Sequence, residues 1–251
     1  MDGNVQTGFP SRLPQSWAET RANWHTSDWL ALIAIPLIFA IVALAVRLTG
    51  VSKAAAITDS LIRVALCAAL LWNYRRLLAR HWVRFREHLW RNIGIVVAGA
   101  VALQVVISLV SALLPRPEIT GDGPPPIIDP ATAHGLDILV LYIGALGPLA
   151  IVMVEEAVFR HTLLVKLPWW RNRLTAILGI LLNGALFGAI HYGNFGSLLR
   201  TVPYMAVGVL MNLIYLWRRN LWTVMLIHLL NNAVLTIGSL TLLLIFRNFV
   251  G

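Results

Sequence analysis

The stretch MVEEAVFRH, Met153 to His161, sets two adjacent carboxylates and an arginine at the end of a long apolar run. Ionisable groups inside a membrane are costly, so each calls for a partner or a function. Glu156 and Arg160 are four residues apart and can pair along one helix face. Glu155 is rotated by roughly 100° from Glu156 on a helix, away from that arginine. One acid is neutralised locally. The other is left to meet a partner on another helix or to activate water as a general base.

Two further stretches carry imidazoles. In FGAIH, Phe187 and His191 share a helix face, and in HLLNN so do His228 and Asn232. Singly, each has an ordinary explanation: a histidine packed at the end of a span, or polar side chains hydrogen bonding between helices. Asp59 and Arg63, also four apart with the acid first, read as a self-neutralised pair. Together, the groups offer more. A carboxylate and an imidazole supply an activated water, while an imidazole N–H and an amide NH₂ supply donors for an oxyanion, which is what peptide hydrolysis needs. No serine or cysteine shares a helix face with these histidines in a recognisable motif, which turns the reading away from nucleophilic catalysis.

Helices must position these groups. The 251-residue chain is 58% hydrophobic and 12% charged, with a mean hydropathy of +0.75. Apolar segments fall at about 29–48, 56–73, 92–114, 136–159, 174–190, 202–217 and 221–246. They are continuous where a transmembrane barrel would alternate. The expectation is an all-α, polytopic transmembrane helix bundle of seven or eight spans, the last segment being one tilted helix or two short ones around Gly238. The net charge of +9 marks arginine-rich loops rather than nucleic-acid binding. Cys67 is the only cysteine, so no intrachain disulfide exists.

Three regions follow. Residues 1–28 are polar and carry Trp17 and Trp24, with Trp29 just after, which suits an interfacial position and not a cleaved signal peptide. Residues 29–135 hold the first helices, a basic amphipathic stretch at 74–91 and a Pro- and Gly-rich loop at 115–135. Leu78, Trp82, Phe85 and Leu89 recur at helical spacing in 74–91, which is expected to lie along the inner membrane surface. Residues 136–251 hold the candidate site. The stretches 74–91, 160–173 and 217–220 carry six, four and two basic residues and fall on one side by counting spans. That side, with the N-terminus, is expected to be cytoplasmic. At 1.5 Å per residue, His228 lies roughly 10 Å, Glu155 roughly 20 Å and His191 roughly 27 Å from that side. The groups can meet only if the 160–173 hairpin projects or the helices tilt.

The ordered set EExxxR, FxxxH and HxxxN, each on a different apolar segment, resembles the CAAX-protease and bacteriocin-processing family of intramembrane endopeptidases over about residues 136–236. That family includes the prenyl-protein endoprotease that trims farnesylated proteins. The resemblance implies Glu155 as the base that activates water, His191 as a second holder of that water, and His228 with Asn232 as oxyanion donors. Glu156, Arg160 and Phe187 fill structural or substrate-orienting positions. No metal or other cofactor is expected; the alternative is zinc held by Glu155, His191 and His228, although the HExxH spacing is absent. The implied partners are a peptide or lipidated protein substrate and the lipid bilayer, with cleavage near the cytoplasmic face of a prokaryotic plasma membrane. A non-catalytic scaffold or bacteriocin-immunity protein of the same fold is the alternative.

Overall fold

Long apolar runs propagate as helices because a hydrocarbon layer offers backbone groups no other partners. The computed structural model describes residues 9–10, 12–115 and 127–250, and among them it has no strand. In chain order the helices are α1 (Trp17–Ala22), α2 (Thr26–Thr49), α3 (Lys53–Arg86), α4 (Leu89–Leu113), α5 (Leu136–Glu155), α6 (Arg173–Ala189), α7 (Tyr192–Phe195), α8 (Leu198–Arg218), α9 (Leu221–Ala233) and α10 (Ser239–Val250). Wider π-helical turns extend α5 over Glu156–Leu164 and join α9 to α10 over Val234–Gly238.

Among the described residues, six helical runs are long and apolar enough to cross a membrane: Thr26–Thr49, Lys53–Arg86, Leu89–Leu113, Leu136–Leu164, Leu198–Arg218 and Leu221–Arg247. The expected 174–190 span is the shorter α6, of 17 residues. The last segment is one run, because Gly238 closes a π turn without ending the helix. This is a multi-pass helical membrane protein. Apolar side chains such as Leu48, Trp90, Leu113 and Leu136 cover the outside, while Glu156 and Arg160 are fully buried within a core that is otherwise largely apolar.

One expectation is corrected. Residues 74–86 form no separate surface helix, because α3 runs through them unbroken and the chain turns at Glu87 and His88. Leu78 and Phe85 are buried while Trp82 is partly exposed, so most of the apolar stripe packs on the protein and the basic face looks outward. Of the 115–135 loop, residues 116–126 lie outside the described residues.

Contacts at the two ends fix the register. At the arginine-rich end, Lys166 reaches the fully buried Asp28 at the start of α2, with Nζ 2.7 Å from Oδ2. The Thr162 and Tyr74 hydroxyls donate to Asp28 Oδ1, each at 3.2 Å. Burial lowers the Lys166 pKa and the Asp28 charge opposes that shift. His81 of α3 holds the start of α9: the Leu221 N–H donates to its Nδ1 at 2.9 Å, and Asn220 Nδ2 donates to its carbonyl at 2.9 Å. Asn220 Oδ1 then caps the Trp222 N–H. At the opposite end Lys53 pairs with Asp137, and Arg247 donates to the carbonyls of Pro130 and Ala133. The arginine-rich segments therefore share one end with the beginning of α2.

α6 and α8 meet backbone to backbone. A Cβ on Gly184 would lie 2.7 Å from the Val209 nitrogen, and one on Gly208 would lie 2.6 Å from the Gly184 oxygen. Gly188, four residues after Gly184, would meet the Met205 nitrogen at 2.4 Å. Small residues at this spacing allow close helix approach in a membrane.

Candidate active site

α5 delivers Glu155 at its last residue, where the backbone widens into π turns that carry Glu156 and Arg160. Such turns are rare and recur at functional sites. The Phe159 carbonyl within them accepts from Asn183 Nδ2 of α6 at 3.0 Å. Glu156 Oε2 lies 3.3 Å from Arg160 Nε with both side chains fully buried. Glu155, also buried, instead lines a cavity.

α9, held at its start by His81, places His228 against both acids. His228 Nδ1 is 2.9 Å from Glu156 Oε1, and Nε2 is 3.6 Å from Glu155 Oε2. The Glu156 contact was not anticipated, since local spacing gave that acid only Arg160. Because a carboxylate accepts, Nδ1 is the donor, which turns Nε2 to Glu155.

His191 follows α6. Its Nδ1 lies 2.9 Å from the Phe187 carbonyl, which can only accept, so Nδ1 carries the hydrogen, and in the neutral ring Nε2 keeps a lone pair. Tyr204 of α8 stacks on the imidazole at 5.0 Å between ring centroids. Phe187 is the common neighbour. Its ring lies 5.3 Å from His191 and 5.9 Å from His228, with the Arg160 guanidinium over it at 4.1 Å. Phe187 stands fourteen residues into α6 yet touches Arg160, four residues before the end of the α5 run. α6 thus begins well beyond that end or crosses it obliquely, which brings the three depths together.

Glu155, His191, His228 and Asn232 all line one cavity of about 330 Å³. Its walls include Ile35, Ile38, Leu103 and Ile151, and none of the arginine-rich loops contributes. Asn232 donates through Nδ2 to the Pro148 carbonyl at 2.7 Å and accepts from Asn231 Nδ2 at 3.2 Å. Gln104 of α4 donates to Asn231 Oδ1 at 2.5 Å. Pro148 has no N–H for the Gly144 carbonyl, and the Ser60 hydroxyl donates to that oxygen at 3.3 Å.

Among the described residues, no group of three or more His, Cys, Asp and Glu side chains is gathered so as to hold a metal ion. Glu155, His191 and His228, the alternative zinc set, line one cavity, and each imidazole has Nδ1 hydrogen bonded to protein. Sequence reasoning missed Asn231, Gln104, Tyr204 and the lining position of Arg63. Gln104, a lone polar residue in an apolar run, carried a usable signal. Asn231 adjoins Asn232 in sequence, whereas Tyr204 and Arg63 become neighbours of the site only through contacts between helices.

The family model described as "Type II CAAX prenyl endopeptidase Rce1-like" matches residues 137–234. No curated protein and no solved structure matches the chain. The match runs from α5 to the end of α9 and takes in EExxxR, FxxxH, HxxxN and the Tyr204 that stacks on His191. Over residues 137–234, this chain is therefore similar to CAAX-type prenyl endopeptidases.

Proposed function

We propose that the protein is an intramembrane endopeptidase that hydrolyses a peptide bond with water activated by Glu155. The observation that carries this reading is His228 held between Glu155 and Glu156 at the wall of a cavity that also presents His191 and Asn232. In the proposed reaction the Glu155 carboxylate takes a proton from a water whose oxygen adds to the scissile carbonyl carbon. The lone pair of His191 Nε2 holds the second hydrogen of that water. The oxyanion accepts from the remaining N–H of Asn232 and from His228 Nε2, which is a donor only when both ring nitrogens carry hydrogen. Glu155 returns its proton to the departing amine as the C–N bond breaks. Glu156, Arg160 and Phe187 orient His228 and do not touch the reacting atoms.

Prenylated C-terminal peptides are the substrate class that the family's description suggests, with lipid-anchored peptides of other origin in the same chemical range. The reaction needs no metal in this scheme. We place the arginine-rich end and the N-terminus in the cytoplasm of a prokaryotic plasma membrane, following the inside preference of arginine.

The test is cleavage of a quenched peptide library with a farnesylated member by detergent-purified wild type and Glu155→Gln. Loss of a general base is expected to cost about 10²- to 10⁴-fold, with an unchanged elution profile and helical signal. Equal rates would remove Glu155 from the mechanism. Absence of cleavage in both would favour the scaffold reading.

A further inference from the structure

Arg63 stands outside the matched family segment, in α3, yet it lines the same cavity as Glu155, His228 and Asn232. Of the described lysines and arginines, no other does so. Its Nε donates to Asp59 Oδ1 at 2.7 Å, the contact expected for a self-neutralised pair. That contact occupies one of three nitrogens. Among the described residues, the two terminal nitrogens make no hydrogen bond to protein, although the side chain is only 25% exposed. A guanidinium inside a span with its paired donors open fits a planar, two-oxygen acceptor better than any point charge.

The distance along the bundle selects that acceptor. Gly147 of α5 packs on Arg63: a Cβ there would lie 3.3 Å from Arg63 Cδ. Glu155 is eight residues further along α5, roughly 12 Å at 1.5 Å per residue, and Pro148, Ile151 and Glu155 line the cavity between. An extended peptide advances about 3.3 Å per residue. A chain whose scissile carbonyl sits at Glu155 would therefore bring the backbone three to four residues later to Arg63. The cavity wall carries Ile35, Ile38 and Ile151, together with Asn232 at the Pro148 carbonyl. We infer that Arg63, oriented by Asp59, binds the free C-terminal carboxylate of a short apolar tail and so selects how far from the chain end cleavage occurs.

This inference rests on the endopeptidase reading, and its test separates the two. The probes are dansylated peptides with a farnesylated cysteine followed by one to six apolar residues, each made as the free acid and as the C-terminal amide. Binding is measured by fluorescence to the full chain carrying Glu155→Gln, and cleavage is measured with wild type. Hydrogen bonds between charged partners are stronger than those to a neutral amide, so the free acid is expected to bind roughly tenfold or more tightly than the amide at tails of three to four residues. The preference should shrink for shorter and longer tails. Arg63→Gln should abolish the preference while leaving amide binding unchanged. The charge-neutral double variant Asp59→Asn with Arg63→Gln should do the same, which covers misfolding from an unpaired Asp59. Equal binding of acid and amide in the parent, or an equal preference in the Arg63 variants, would overturn the assignment. Cleavage without any carboxylate preference would remove Arg63 and leave the endopeptidase. Carboxylate-dependent binding without cleavage would do the reverse.

Discussion

At the scale of single residues, the two adjacent glutamates have different surroundings and should fail differently. Glu156 is fully buried between Arg160 and His228. Glu156→Gln leaves the Arg160 guanidinium buried without its counter-charge, and breaking a buried pair typically costs about 3–5 kcal/mol. Thermal unfolding in detergent should show a clear loss of stability together with loss of cleavage. Glu155 lines the cavity and has no counter-charge on its own helix, so Glu155→Gln should leave the unfolding midpoint within a few degrees while removing activity. If the two variants lose stability equally, the assignment of Glu155 to water activation and Glu156 to support is wrong. Phe187 offers a third check. Phe187→Ala removes the ring shared by Arg160, His191 and His228; a buried Phe→Ala change typically costs about 3–5 kcal/mol. Phe187→Leu, which keeps most of the volume, should recover stability but not full activity. Full activity in Phe187→Leu would mean that ring contacts do not orient the histidines.

At the scale of elements, the site depends on how closely α6 approaches α8. Gly188→Val would drive its branches into the Met205 backbone, whose nitrogen lies only 2.4 Å from where a Cβ would stand, and would carry the His191 that follows α6 away from Tyr204. The expected result is loss of a monodisperse detergent-solubilised species. The milder Gly188→Ala should give reduced activity with raised sensitivity to heat. Gly144→Ala, which has open space for a Cβ, should be neutral in the same assays and serves as the control. The EExxxR, FxxxH and HxxxN sets were readable because each is a local relation on one helix. The π-helical turns at Glu156–Leu164 and the straight continuation of α3 through 74–86 were not. Both reflect partners from other elements: Asn183 takes a carbonyl from the widened turns, and burial of Leu78 and Phe85 keeps the basic stretch on the bundle.

At the scale of the whole molecule, the arginine-rich segments, the start of α2 and the start of α9 lie at one end, and Lys53, Asp137 and Arg247 at the other. With that first end in the cytoplasm, a membrane-impermeant maleimide added to intact cells should label a cysteine at Ala131 and not one at Arg173, both in a chain with Cys67→Ala. Labelling of the Arg173→Cys chain alone would invert the proposed orientation.

The sequence by itself determined the class of molecule, the helices and the four-residue pairings within each, because hydropathy and helical repeat act over a few neighbouring residues. It also determined, through those pairings, which glutamate has a partner on its own helix. Only the tertiary structure decided that His228 joins the two acids. It alone placed Gln104 behind Asn232, through Asn231, and brought Arg63 to the wall of the same cavity. Those contacts join residues up to 127 positions apart, and they arise from the offsets, tilts and close glycine contacts by which separate helices pack, which no local spacing encodes.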